Sequence, residues 1–308
     1  MTARSGTGAL SRPAAAERWE RPLARWAWLV AVAAIGAGWY ALYGAASGTE
    51  ARFLDWDIYA KAWNAWLAAG TPYTVPPTGW NPCVTYPYLY PPTSWPILVL
   101  AGLLPPVAAW LGVVPLLARP PRLWAAPVAV ALLGIGLVPA LYLSNVDLLV
   151  AALVVLAFVP GPIGGLALAG AVALKGYPIV LLPFLWRDGA RLRALLIGLA
   201  VLAVSGTLLF GFRGWTDFVA TLAGEGPSCS TAFNPFLALG AGRVIAALIA
   251  CAAGLLLRSP ALALLGATFL TGVVTQHYLV TIAAALLVEP ALRGRRAISL
   301  APPRLAAV

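Results

Sequence analysis

Charge is what this chain has least of. Its 308 residues include only 10 Asp plus Glu and 20 Lys plus Arg, with one His, three Cys and one Met. Each shortage closes off a class of chemistry. Three dispersed Cys and a lone His offer no ligand set at metal-binding spacing. So few carboxylates leave no additional cluster to hold a hard cation. The chain has neither a P-loop nor a dinucleotide-binding glycine fingerprint, so nothing points to a nucleotide cofactor. It has no internal repeat and no separate basic domain. The net charge of +10 therefore does not read as a nucleic-acid footprint. Its basic residues fall in short clusters between apolar runs, the positive-inside pattern of a membrane protein.

What fills the chain instead is apolar. It is 61% hydrophobic, and the long runs nearly free of charge predict an all-α polytopic membrane protein. Thirteen Trp and ten Tyr suit interfacial belts, and 27 Pro point to broken helices and structured loops. Residues 1–24 carry Arg4, Arg12, Arg18 and Arg21 and read as a disordered, basic cytoplasmic tail. The apolar run from Arg25 to Ser47 exceeds the usual signal-peptide core of about 7–15 residues, so it reads as an uncleaved anchor.

A span needs about 20 apolar residues, fewer where helices are broken. On that rule 26–46 runs outward, 47–93 is an outer loop, and 94–117 returns. Residues 123–142 run out to Ser144-Asn145-Val146-Asp147, and 146–159 return to the turn Pro160-Gly161-Pro162. Residues 163–174 run out to Lys175, and 177–186 return to Arg187, Arg191 and Arg193. These two stretches are short for straight spans, and read either as a re-entrant pair or as one helix kinked at Gly176-Tyr177-Pro178. Residues 194–212 run out to a second outer loop, 213–235, then 236–257 return, 260–275 run out and 278–292 return. The transmembrane region is thus 25–292, with 293–308 a second cytoplasmic tail. Most Arg falls on the inner side of this path, as the positive-inside rule requires.

The same path sets Asp55, Asp57, Asn145, Asp147, Lys175 and His277 on one side, at the mouths of apolar segments. Polar groups in such places call for a reason. Several have an ordinary one. Asp55 could cap a helix, and Asn145 could do the same. Asp57 stands in i,i+4 register with Lys61, which fits a solvated ion pair. Lys175 could snorkel. Yet the chain has only two Lys, and a lone ammonium at a helix break suits a phosphate or pyrophosphate. His277, the only histidine, could bind an anion or relay a proton. Trp56, Tyr59, Trp63 and Trp66 recur at helical spacing, which predicts an interfacial helix with its rings toward the headgroups. Gly70-Thr71-Pro72 would end it. Cys83 and Cys229 fall in the two outer loops, where the compartment permits a disulfide; two free thiols are equally open.

These residues resemble a family. Asp55-Trp56-Asp57-Ile58-Tyr59, followed by Gly70-Thr71-Pro72-Tyr73, is similar to the opening of glycosyltransferase family 87, the actinobacterial polyprenol-phosphate-mannose-dependent mannosyltransferases of the GT-C superfamily. Tyr88-Leu89-Tyr90-Pro91-Pro92 resembles their Y-x-Y-P-P, Lys175-Gly176-Tyr177-Pro178 their K-x-x-P, and Gln276-His277-Tyr278 their W-x-H-[HY]. Ser144-Asn145-Val146-Asp147 matches their G-Q-x-N in polar character only. The motifs keep their order across 55–278.

The resemblance implies a GT-C-like bundle of about 9–11 membrane helices or half-helices with two extracytoplasmic loops. It implies a plasma-membrane enzyme with both termini cytoplasmic. A sugar, mannose in the known members, would pass from a polyprenyl-phosphate donor to a glycolipid or glycan acceptor with inversion and without a cofactor. Asp55 would be the catalytic base. Asp57, Tyr59, Tyr88, Tyr90, Asn145, Asp147, Lys175, Gln276 and His277 would contact substrate, Lys175 and His277 stabilising the leaving phosphate. Two other readings stand beside this one: a transporter or flippase of lipid-linked sugars, and an inactive member acting as an assembly partner.

Overall fold

A computed structural model describes residues 26–39, 41–42, 54–73, 88–102, 126–143, 145–223, 242–270 and 278–299. Among them every regular element is helical. They are α1 (Trp26–Trp39), α2 (Leu54–Ala69), α3 (Trp95–Gly102), α4 (Ala126–Leu143), α5 (Asp147–Ala157), α6 (Pro162–Leu174), α7 (Leu182–Leu185), α8 (Gly189–Ala223), α9 (Gly242–Leu257), α10 (Pro260–Leu270) and α11 (Tyr278–Ser299). Two 3-10 turns, Pro92–Ser94 and Tyr177–Leu181, lead into α3 and α7.

The centre is α5. Its Leu148, Val150, Ala151, Val154, Val155 and Ala157 are all buried, so it is apolar on every face. Helices α6, α11 and α4 surround it. The α5–α6 turn is the expected Pro160-Gly161-Pro162. Gly161 takes a left-handed φ of 81°, and Pro162 occupies the first turn of α6, where its missing N–H costs nothing.

Helices α6 and α8 run side by side in the same direction. Gly164 and Gly165 of α6 lie against Arg191 and Ala194 near the start of α8, and Ala169 lies against Gly198 further along. Gly165 has no room for a Cβ against the Arg191 carbonyl, so the two backbones touch there. Residues 177–186 therefore carry the chain back from the end of α6 to its beginning. The chain thus doubles back over these residues and does not continue as one kinked helix.

Helix α8 has 35 residues and breaks at Gly211, whose φ of 62° and ψ of −170° are outside the helical region. The stretch Gly189–Phe210 rises about 1.5 Å per residue, long enough to cross a hydrocarbon core of about 30 Å. It is also the one described helix both long and apolar enough to do so. Leu196, Ile197, Val201, Val204 and Leu208 face outward along it. Beyond the break the helix continues to Ala223, so the expected second outer loop, 213–235, begins as helix. Likewise α11 runs on to Ser299, into the segment read as a tail from 293.

The aromatic residues of α2 do not face outward as a group. Trp63 stacks on Trp95 with ring centroids 6.1 Å apart, Trp66 meets Trp95 and Phe210, and Tyr59 is buried; Trp56 alone of the four is exposed. The expectation of a headgroup-facing stripe is corrected, because residues 88–95 supply a second aromatic surface that covers it.

Candidate functional site

Four of the polar residues picked from the sequence meet at one end of the bundle. Asp55 is the second residue of α2, and its Oδ2 accepts a hydrogen bond of 2.6 Å from Asn145 Nδ2. Asn145 precedes α5. Its Oδ1 accepts the Asp147 backbone N–H at 2.8 Å, satisfying one of the orphan donors at the start of α5. Its own backbone N–H bonds Ala140 O at 2.9 Å, closing the turn after α4. These partners fix which amide atom is nitrogen and which is oxygen.

Asp147 opens α5 and Lys175 follows the last residue of α6, and they form an ion pair of 3.2 Å. The Asp147 side chain is 0% exposed and the Lys175 side chain 11%. A carboxylate at a helix N-terminus and an ammonium at a helix C-terminus both suit the helix dipoles. The Lys175 ammonium lies 4.4 Å from the Tyr278 ring centroid and 5.5 Å from that of Tyr90. The Tyr177 hydroxyl, beside the Asp147 carboxylate, donates to Thr281 Oγ1 at 3.0 Å.

Tyrosines wall the site. The Tyr59 and Tyr90 hydroxyls are 2.8 Å apart, Tyr73 donates to the Tyr90 carbonyl at 2.7 Å, and the Tyr88 hydroxyl meets Ser94 Oγ at 2.9 Å. Burial pushes all four phenols upward, so they stay neutral and act as hydrogen-bonding groups.

Asp55 is the group whose environment matters most. Burial raises its carboxyl from 3.8 to about 6. The Asn145 hydrogen bond and the Lys175 charge pull it down, and the Asp147 charge pushes it up. Among the described residues nothing hydrogen-bonds its Oδ1. A carboxylate ionised near neutral pH, with one oxygen held and one available, is equipped to take a proton.

Asp57 does not join this group. Two residues along a helix is about 200° around it, so Asp57 points the other way and pairs with Lys61 at 2.5 Å on the exposed surface. The ion-pair reading of Asp57 is the one realised. Gln276, His277, Cys83 and Cys229 lie outside the described residues. The third cysteine, Cys251, is free, and its thiol donates to Ala263 O at 3.5 Å between α9 and α10. Among the described residues no three His, Cys, Asp or Glu side chains are grouped as a metal site would need.

Sequence reasoning missed Tyr177 and Thr281 as members of the site. Tyr177 sits two residues after Lys175 in the same motif, which was a usable signal. Thr281 is one helical turn into α11 and carries no local mark. No protein-family model, curated protein or solved structure matches the chain.

Proposed function

We propose that the chain is a multi-spanning membrane glycosyltransferase acting on a polyprenyl-phosphate sugar, with Asp55 as its base. The observation that carries the reading is the meeting of Asp55 from α2, Asn145 and Asp147 from the start of α5, and Lys175 from the end of α6. Three separate segments converge to hold one partly buried carboxylate beside one ammonium.

The membrane part of the reading draws on α8. Its most apolar window is only 17% buried, whereas the core helix of a soluble protein is mostly covered. The outward leucines, isoleucines and valines of α9, Val244, Ile245, Leu248 and Ile249, belong to the same apolar exterior. Arg187, Arg191 and Arg193 lie at the end of α8 away from Lys175, which under the positive-inside rule supports a site on the outer side.

In the reaction Asp55 Oδ1 takes the proton of an acceptor hydroxyl. The acceptor oxygen forms a bond to the anomeric carbon as the bond from that carbon to the phosphate oxygen breaks. The phosphate keeps the bonding electron pair, and the configuration inverts. Lys175 has three N–H donors and one oxygen partner among the described residues, so it retains donors for the departing phosphate. The neutral hydroxyls of Tyr59 and Tyr90 supply hydrogen bonds to a sugar, and their rings an apolar surface for its C–H faces.

The test is transfer of radiolabelled sugar from polyprenyl-phosphate-mannose to membrane acceptors by the wild type and by Asp55→Ala. Transfer that the substitution abolishes at equal expression supports the reading. Equal transfer by both removes Asp55 from the mechanism. No transfer by either, across several lipid-linked sugars, favours a transporter or an inactive partner.

A further inference from the structure

We infer that Asn145 is the positioning residue of the site: its side chain fixes which oxygen of Asp55 is available and ties that carboxylate to the Asp147–Lys175 pair. The inference deepens the proposed function and rests on Asp55 being the base. It stands on geometry. Asn145 bridges two segments 90 positions apart, donating from Nδ2 to Asp55 Oδ2 at 2.6 Å while accepting the Asp147 N–H on Oδ1 at 2.8 Å. The side chain is almost wholly buried, with 4% of the residue exposed, so solvent does not stand in for either bond. Both ends of the amide are used, and only a group with a donor and an acceptor at that spacing can use them.

The consequence is directional. With Oδ2 occupied, the proton-accepting oxygen of Asp55 is Oδ1. The amide dipole favours the ionised carboxylate and offsets part of the burial that opposes it. Asp147, from which a second negative charge acts on Asp55, is held by the same residue through its backbone. Burial, the largest influence, and then Asn145, Lys175 and Asp147 set the Asp55 titration.

Two substitutions separate positioning from simple capping of α5. Asn145→Ser keeps a hydroxyl acceptor for the Asp147 N–H without adding charge, but is too short to donate to Asp55. Asn145→Ala removes both. The readout is the pH dependence of carbodiimide labelling at Asp55, located by peptide mass spectrometry on the purified full chain, beside the pH profile of transfer. In Asn145→Ser the labelling midpoint of Asp55 moves up by about one pH unit or more, the size expected for losing a hydrogen bond to a charged group. The rising limb of kcat moves with it, with KM changed less than kcat. Asn145→Ala shifts the midpoint in the same direction and loses thermal stability as well. A labelling midpoint unchanged in Asn145→Ser overturns the inference and reduces Asn145 to a cap. Because labelling needs no turnover, a wild type without transfer activity overturns the proposed function while the labelling still decides the role of Asn145.

Discussion

Two carboxylates stand at opposite ends of the α6–α8 pair, and the fold treats them in opposite ways. Asp188, just before α8, accepts the backbone N–H of Gly161 at 2.8 Å and that of Arg191 at 3.1 Å. The Arg191 guanidinium lies 3.6 Å from it and donates to Val159 O at 3.0 Å. These donors hold the Asp188 carboxyl below its ordinary value. It pins the α5–α6 turn to the start of α8, with each oxygen accepting a backbone N–H. Asp55 has one donor, Asn145, and is short of solvent, so its carboxyl rises to about 6. A carboxylate saturated with backbone donors is a structural clamp. A carboxylate buried with one donor is left able to react.

Neutralising each carboxylate in turn separates the two roles most decisively. Asp55→Asn reduces sugar transfer by a factor of about 10²–10⁴, the usual contribution of a positioned base, while the chain stays folded. Asp188→Asn lowers the thermal unfolding midpoint but leaves transfer per folded molecule within a few-fold of wild type. Transfer assays and thermal scans on the same two preparations check both halves. If the two variants lose activity alike, the division into clamp and base is wrong.

The next largest effect lies in the buried pair. Lys175→Met leaves Asp147 uncompensated and costs about 3–5 kcal/mol, whereas adding Asp147→Leu recovers most of that stability without recovering transfer. Detergent-solubilised unfolding midpoints for the single and double variants measure it.

Acid–base behaviour adds a further contrast. As the proposed base Asp55 must be ionised to act, so kcat/KM is expected to rise with pH through about 6 and level above it. The same shift has a sign for stability. The folded carboxyl titrates above its unfolded value of 3.8, so ionisation opposes folding, and this penalty grows between 3.8 and about 6. Asp55→Asn is therefore more thermostable than wild type at pH 7, by on the order of 2 kcal/mol, and no more stable at pH 3.5. An inactive variant that is also the more stable one is what a strained functional group produces.

The smallest effect belongs to a turn remote from either carboxylate. Arg258 closes α9 in a left-handed conformation, φ 56°, with Ser259 N bonded to Gly254 O at 2.8 Å and Arg258 N to Leu255 O at 3.2 Å. Arg258→Gly relieves that conformation and raises stability by about 1 kcal/mol, with transfer unchanged.

Much of the fold and the site is legible in the order of residues alone. The stop of α2 at Gly70, the Pro160–Pro162 turn and the placing of Asp55, Asn145, Asp147 and Lys175 on one side all follow from local chemistry and charge. Periodicity shows that α2 has an aromatic face, but not that Trp95 and Phe210 cover it, because a period names a face and not its partner. The Asp188 clamp is hidden for the same reason. Asp188 carries no motif, and its role exists only once Gly161, 27 positions away, is brought to it. That Asp57 turns away from the bundle to pair with Lys61 depends on which side of one helix is packed, and only the packing decides that.

The parallel contact between α6 and α8 has a consequence for how the protein is made. In the proposed reading, the 13 residues of α6 and the short return that follows are each too brief to cross a bilayer alone. The backbone approach of α6 is built against Arg191, Ala194 and Gly198, which the ribosome adds later. In that reading the hairpin would wait in the translocation machinery until the first half of α8 emerges, and the three segments would then enter the lipid as one unit. Membrane insertion of chains truncated before Gly198 should therefore fail at 162–186, whereas chains extended past Phe210 should integrate.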